Sequence, residues 1–325
     1  MSVRVSVPSR VHLTLIDLGP TGYRRNGGVG FGITTPRSTF AFAPHAAVDL
    51  RALESYGYLP AEIASLTKRL ECLMSQQQLT QGLRLKDVQL PARHGGFGTG
   101  TAAALASLES LFLLNGLSVS PEFLRANCGR GGASGIGLSS YFKGGFVFDA
   151  GRRFDSAPIV GSDAINQVDE LPLEMARLDM VDWPMGVLVP PCASATSPEQ
   201  EQAFFSHQLP LSAADVFETT YHAIFGTLAA VQSRDYDAFC ASINALQRCA
   251  WKRAEIDLYG DTVRTCAAYL ASVGCDAVAM SSIGPALIFW ARDFDVAFAA
   301  AECQYGPSAV FRTSPDNTGR ILSHD

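Results

Sequence analysis

The stretch His94-Gly95-Gly96-Phe97-Gly98-Thr99-Gly100-Thr101 runs directly into Ala102–Asn115, a strongly helical run that stops at Gly116. Glycines let a backbone approach a ligand, the first turn of a helix carries unpaired N–H groups, and the hydroxyls of Thr99 and Thr101 add donors. This combination predicts a cradle for phosphate or pyrophosphate built from Gly95, Gly96, Gly98, Thr99, Gly100 and Thr101, with His94 at its mouth. A tight strand-to-helix turn is the plain alternative. No Lys-Ser or Lys-Thr follows the last glycine, and the dinucleotide-binding spacing is absent, so neither of those phosphate loops is present. Two further glycine-rich turns carry cations: Arg24-Arg25-Asn26-Gly27-Gly28, and Gly129-Arg130-Gly131-Gly132-Ala133-Ser134-Gly135. A guanidinium offers phosphate two parallel charge-assisted hydrogen bonds. Arg24, Arg25, Asn26, Arg130, Gly131 and Ser134 therefore join the candidate anion-binding set, against the alternative of ordinary solvated loops.

His12 and Asp17 flank the apolar residues Leu13–Ile16. Either could bind a cation or orient a substrate, and a hydrogen-bonded core histidine fits as well. Glu109, two turns into the helix after the glycine loop, reads as a solvent-facing residue, and Trp183, Trp251 and Trp290 read as core. No Gly-x-Ser-x-Gly elbow precedes a helix, which removes the usual serine-hydrolase arrangement. The eight cysteines form no Cys-x-x-Cys and no Cys/His cluster of zinc spacing, so reduced, mostly buried thiols are expected.

These residues need a scaffold, and the chain is long enough to supply one or two cores. With 47% hydrophobic residues it is no disordered chain, and at net charge −6 it is not held to nucleic acid by phosphate electrostatics. It has no apolar run long enough to span a membrane and no signal-peptide pattern at Met1–Val5, so a cytoplasmic protein is expected. Strand patterns occur at Val3–Val7, Val11–Leu15, Thr39–Phe42, Ala47–Leu50, Leu83–Leu90, Met185–Val189, Ala277–Met280 and Ala286–Trp290. Helical spacing occurs at Glu62–Leu79, Ser212–Val231 with Ser212 as its cap, Asp237–Trp251 and Thr262–Val273. Strands and helices mix without regular alternation, which predicts an α+β fold. The weaker pattern between Gly151 and Trp183 marks a junction, giving expected domains at 1–175 and 176–325.

Together these stretches resemble the GHMP kinase superfamily. Pro8-Ser9-Arg10 through Leu18-Gly19 is similar to its first motif, with Arg10 where many of the kinases carry Lys. Gly95–Ala103 resembles its phosphate loop, and Met280–Leu287 its C-terminal glycine motif. Within the superfamily the chain is most similar to the β-ribofuranosylaminobenzene 5′-phosphate synthases and their C-nucleoside branch. The match is carried by Arg10-Val11-His12-Leu13, Ile16–Gly19, Arg25–Gly30, His94–Thr101, Gly129–Gly137 with Phe142 and Gly144-Gly145, Pro190-Pro191, and Ser281-Ser282-Ile283-Gly284-Pro285. The loop departs from the Leu-Gly-Ser-Gly-Thr usual in the synthases, and Cys192–Ser197 stands where a glycine-rich continuation is expected.

The resemblance implies a two-domain GHMP kinase-like fold and a decarboxylating transfer. A 5-phosphoribosyl group passes from phosphoribosyl pyrophosphate to the ring carbon of an aromatic acid, p-aminobenzoate or a pyrazole carboxylate, with release of CO2 and pyrophosphate. It implies Mg2+ accompanying the donor, catalytic roles for Arg10, His12 and Asp17, and substrate contacts from Ser281, Ser282 and Gly284. The implied partners are small molecules only, with a homodimer expected from base rates. An ATP-dependent kinase is the runner-up and a non-catalytic nucleotide-binding protein the third reading. Against the kinase, Ser134-Gly135-Ile136 is followed by Gly137 where the kinases carry a catalytic Asp, and Arg125-Ala126-Asn127 occupies the stretch of their acidic metal ligand.

Overall fold

A computed structural model of the chain describes residues 2–155, 159–160, 170–191 and 198–324. Cys192–Ser197, singled out above, lie outside them. The first two apolar runs join into one strand, β1 (Val3–Asp17), because the Pro8/Ser9 step is absorbed as a register shift against the neighbouring strand rather than as a turn. That neighbour is β2 (Arg24–His45), antiparallel to β1 along nearly its whole length. Ala47–Leu50 does not form the expected strand: Asp49 makes a single bridge to Arg84, and a 3-10 turn follows at Arg51–Tyr56. Next come α1 (Pro60–Gln76), β3 (Gly82–Gln89), α2 (Thr99–Leu114), α3 (Pro121–Asn127), α4 (Ile136–Lys143), β4 (Phe146–Asp149), β5 (Arg152–Arg153) and β6 (Glu174–Leu178). The first sheet has the order β12-β1-β2-β4-β6, where β12 is the C-terminal strand Ile321–His324, with β3 and β5 also pairing with β2. Residues Ala102–Phe112 of α2 are all buried, so this apolar helix lies inside the protein, packed among β1, β2, β3 and α4.

The chain changes sheets over 179–184. β7 (Met185–Leu188) opens the second sheet. It is followed by α5 (Pro198–Gln208), α6 (Ala213–Tyr221), a π-helical stretch at His222–Leu228, α7 (Ala229–Ser233), α8 (Tyr236–Leu246), α9 (Ala250–Leu258), α10 (Gly260–Ser272), β8 (Ala277–Met280), β9 (Leu287–Trp290), α11 (Phe294–Tyr305) and β10 (Val310–Thr313). The second sheet runs β10-β7-β9-β8, antiparallel throughout. Short β11 (Pro315–Asp316) and β12 then return to the first sheet, against β2 and β1 respectively. The fold is α+β as expected, although its C-terminal strands belong with the N-terminal sheet. Among the described residues no helix is long and apolar enough to cross a membrane.

Three local outcomes bear on the site. Ser212 caps α6 as expected, accepting the Asp215 N–H at 3.2 Å. The single helix expected over Asp237–Trp251 is two, because Cys249 adopts an extended backbone (φ −60°, ψ 153°) and turns α9 onto a new axis. Glu109, expected in solvent, is buried: its carboxylate accepts from Tyr141 Oη at 2.7 Å and from Arg320 Nε at 2.8 Å. That cluster fastens the returning C-terminal segment to α2 and α4. Arg320→Met would leave the Glu109 charge buried with only a phenol, and breaking such a pair costs about 3 kcal/mol or more. Urea denaturation should register that loss; a change below about 0.5 kcal/mol, the scatter of ordinary surface substitutions, would contradict the assignment.

Candidate active site

The glycine loop, the 129–135 turn, β1 and the turn between β8 and β9 surround one open cleft, with α5 at its rim. It holds about 940 Å³ of empty space, its mouth included. One wall is the N-terminus of α2. Gly98 precedes it with φ +74°, a conformation that L side chains rarely adopt, and among the described residues no side chain caps the helix. The N–H groups of the first turn are therefore presented to the cleft beside the Thr99 and Thr101 side chains. A Cβ at Gly98 would meet Arg10 Cγ at 2.6 Å, so the loop backbone and Arg10 are in direct contact. Opposite, Arg130 lies along the same turn, its Nη2 3.3 Å from where a Cβ on Gly100 would stand. Two guanidiniums thus converge on one helix start. This geometry suits an anion carrying more than one negative charge.

Arg10 is held from β1. Its N–H donates to the Phe97 carbonyl at 3.1 Å and its Nη1 to the Ser282 carbonyl at 2.8 Å. Burial and the neighbouring Arg130 draw its pKa down to about 10, which leaves it charged at neutral pH. His12, two residues on and on the same strand face, has Nε2 3.1 Å from Ser134 Oγ. Burial and then the charges of Arg10 and Lys252 hold its pKa well below 6.5. Its imidazole is neutral at physiological pH, fitted for hydrogen bonding and not for carrying charge.

Of the residues singled out in the sequence, Arg10, His12, His94, Gly96, Gly98, Thr99, Gly100, Thr101, Arg130, Gly131, Ser134 and Ser282 line this cleft. Gly95, Ser281 and Gly284 stand behind the wall and shape it. Ser281 Oγ donates to the Gly96 carbonyl at 2.6 Å and accepts the His12 N–H at 3.0 Å. A Cβ at Gly284 would collide with the backbone of Gly95 and Gly96. Asp17, Arg24, Arg25 and Asn26 lie apart from the lining. Asp17 accepts from the Thr21 hydroxyl, and its pKa is raised by burial. Arg24 donates to the Ala150 carbonyl at 3.2 Å, Arg25 pairs with Asp155, and Asn26 donates to the Gly132 carbonyl at 2.9 Å. Arg25 instead borders a neighbouring, more apolar pocket with Phe154, Ile159, Val160 and Leu209; Phe205 lines both.

Several groups at or near the site carried no readable signal. Arg93 and Glu201 line the cleft but belong to no motif. Asp149, fully buried, accepts the N–H groups of Gly135 (2.5 Å) and Gly151 (2.7 Å) and so fixes the 131–135 turn; burial raises its pKa to about 6. Gly137, by contrast, is singled out in the sequence, and it opens on the cleft against Thr101, where a Cβ would lie 3.3 Å from Cγ2. Among the described residues no three His, Cys, Asp or Glu side chains gather for a metal ion, and Glu201 is the carboxylate in the lining.

Comparison with known proteins finds relatives both in sequence and in fold. The chain is 30% identical over 335 aligned positions to the β-ribofuranosylphenol 5′-phosphate synthase of Methanothermobacter thermautotrophicus, covering 98% of each chain. It is 29% identical to the synthase of that name from Archaeoglobus fulgidus, over 87% of this chain and 86% of the other. No protein-family model matches. Among solved structures, mevalonate diphosphate decarboxylase from Staphylococcus aureus superposes with TM-score 0.68 at 12% identity, over 99% of this chain and 98% of that one. Homoserine kinase from Cytophaga hutchinsonii gives TM-score 0.66 at 14% identity, over 99% and 97%. At those identities the structures establish the fold, that of the GHMP kinases.

The neutral His12 has a consequence for stability. Below about pH 6.5 the unfolded chain protonates this residue while the folded chain does not, so the folded state loses stability as pH falls. Between pH 7.5 and 5.5 the wild type should lose about 1 kcal/mol more than His12→Asn in urea denaturation. Equal losses in the two proteins would show that His12 takes up its proton as readily in the folded chain as in the unfolded one, contradicting a lowered pKa.

Proposed function

The chain belongs to the family of β-ribofuranosylphenol 5′-phosphate synthases, and from that premise we propose that it joins the phosphoribosyl group of phosphoribosyl pyrophosphate to an aromatic acid with loss of CO2. The observation that carries this reading is the convergence of Arg10, Arg130 and the uncapped start of α2 on a cleft in which position 137 is glycine. The converging donors suit a pyrophosphate. Position 137 offers no carboxylate to take a proton from an acceptor hydroxyl, as a phosphoryl transfer to an alcohol would need.

The chemistry requires little else of the protein. The bond between the ribose anomeric carbon and the pyrophosphate oxygen breaks, leaving positive charge on the sugar and negative charge on the departing oxygens. Arg10, Arg130 and the N–H groups of Thr99, Gly100 and Thr101 are placed to stabilise that leaving charge as it grows. The ring carbon that bears the carboxylate forms the new carbon–carbon bond. The electron pair of its bond to the carboxylate carbon returns to the ring, and CO2 leaves. No proton is removed from that carbon, so no base is required at 137. Neutral His12, hydrogen-bonded to Ser134, orients substrate without adding charge. Mg2+, when bound, would screen the donor's phosphates; with one carboxylate in the described lining, Glu201, the ion would ride chiefly on the donor itself.

The acceptor is an aromatic or heteroaromatic carboxylic acid whose ring can bear positive charge at the attacking carbon. An electron-releasing group para to the carboxylate meets that need. The name of the curated relatives describes a phenol product, so p-hydroxybenzoate stands beside p-aminobenzoate and pyrazole carboxylates as the acids to test.

Incubation with phosphoribosyl pyrophosphate, Mg2+ and each acid should release CO2 and pyrophosphate in equal amounts with at least one of them. With ATP and a panel of alcohols no acceptor-dependent ADP should form. Gly137→Asp should lower the synthase rate by tenfold or more, on the order of the penalty for displacing a bound reactant by a fraction of an ångström, and should not create a kinase. Robust ADP formation by the wild type would overturn the reading. Arg130→Gln should raise KM for the donor by roughly tenfold or more, as expected for one lost charge-assisted contact. An unchanged KM would remove Arg130 from the donor site.

A further inference from the structure

Behind the cleft wall lies a buried ion pair that none of these steps uses. Lys252 and Glu255 sit one turn apart on α9, neither side chain exposed. The Lys252 ammonium donates to the Met280 carbonyl at 2.7 Å, to Ser282 Oγ at 3.0 Å and to Glu255 Oε2 at 2.7 Å, which engages all three of its protons. The Ser282 hydroxyl donates in turn to Glu255 Oε2 at 2.7 Å. The main chain of Ser282 serves the other side: its N–H donates to the His12 carbonyl at 2.9 Å, and its carbonyl accepts Arg10 Nη1 at 2.8 Å. A single residue therefore ties the ion pair to both Arg10 and His12.

Stability does not account well for this pair. Two charges removed from water pay a desolvation cost that their attraction only partly returns, and an apolar pair of similar volume is often as stable or more so. Here the charges are also held unevenly: Glu255 Oε2 accepts from both Lys252 and Ser282, while Oε1 has no hydrogen-bond partner among the described residues. What the charges supply is direction. The Ser282 hydroxyl receives one hydrogen bond and gives another, both from fixed positions on one helix, and this leaves its peptide a single orientation. Glu255 also supports the charge on Arg10, against the effect of burial and of Arg130.

Taking the cleft as the donor site, we propose that Lys252 and Glu255 are positioning residues that hold Arg10 in line with the start of α2 by fixing Ser282. They touch no substrate. Their effect on the donor passes through Arg10, and that distinguishes them from residues that merely support the fold.

The test is a cycle of four proteins, with inorganic pyrophosphate as the titrant in calorimetry and thermal melts to confirm folding. They are the wild type, Lys252→Met/Glu255→Leu, Arg10→Gln, and the combination of all three changes. The apolar pair should fold and bind pyrophosphate roughly tenfold or more weakly, and in the Arg10→Gln background it should cause no further loss, since coupled residues are non-additive. Wild-type affinity in the apolar-pair protein, or penalties that multiply, would overturn the proposal. If the apolar pair does not fold, Ser282→Ala takes its place. It keeps the ion pair, removes the hydroxyl that the pair grips, and should show the same weakening and the same lack of additivity; independent penalties there also overturn it. Failure of the functional reading would look different: normal coupling in the pyrophosphate cycle, but no CO2 released from any aromatic acid.

Discussion

The backbone of the glycine loop and that of the turn after β8 meet with no side chain between them. A Cβ on Gly284 would collide with Gly95 and Gly96, while Ser281 bridges the Gly96 carbonyl and the His12 N–H. This contact brings the second sheet against the mouth of the first. Because both backbones are bare at that point, Arg10 can lie between the Phe97 and Ser282 carbonyls, and the start of α2 can face the cleft without a cap. Any substituent at 284 would push the two loops apart and move the cation away from the N–H groups it complements. The proposed anion site is therefore a property of how two sheets dock.

Charge is distributed around that contact with the same economy. The molecule is acidic overall, yet Arg10 and Arg130 face the cleft, with Lys252 just behind its wall; among the described residues Glu201 is the one acid in the lining, with Glu255 and Asp149 behind it. The local surplus of positive charge is what an anionic donor requires, and net charge gives no hint of it. The same fold supports kinases and a decarboxylase among its solved neighbours. The chemistry then follows from which side chains enter the cleft, and on the proposed reading Gly137, where the resemblance implies that a kinase would carry Asp, is one such difference.

Much of this was legible in the residues, for physical reasons that also explain what was not. Glycines followed by an apolar helix announce a loop whose backbone is on view, and both the open loop and α2 stand where that pattern put them. Alternating apolar runs located several of the strands but not one at Ala47–Leu50, and the join of Val3–Val7 to Val11–Leu15 depended on pairing with β2, which periodicity does not register. Lys252 and Glu255 have the i, i+3 spacing of a solvated helical pair; only the break at Cys249, set by how α9 packs, turns them inward. Glu109 misled for a related reason, since its partner Arg320 is 211 positions away in the chain. Arg24 and Arg25 sat in a promising glycine turn, but tertiary pairing with Ala150, Gly151 and Asp155 placed them beside the cleft and not in it. Long-range contacts, and not local composition, account for each of these differences.

The proposed reaction makes a carbon–carbon bond in this cleft with loss of the acceptor's carboxylate. Carbon-13 NMR tests it most directly, with the donor labelled at the ribose anomeric carbon and p-hydroxybenzoate or p-aminobenzoate labelled at the ring carbon bearing the carboxylate. Turnover should produce a one-bond coupling between the two labelled carbons as CO2 is released. A product in which the labelled ring carbon still carries its carboxylate, with the anomeric carbon attached to oxygen or nitrogen, would contradict it.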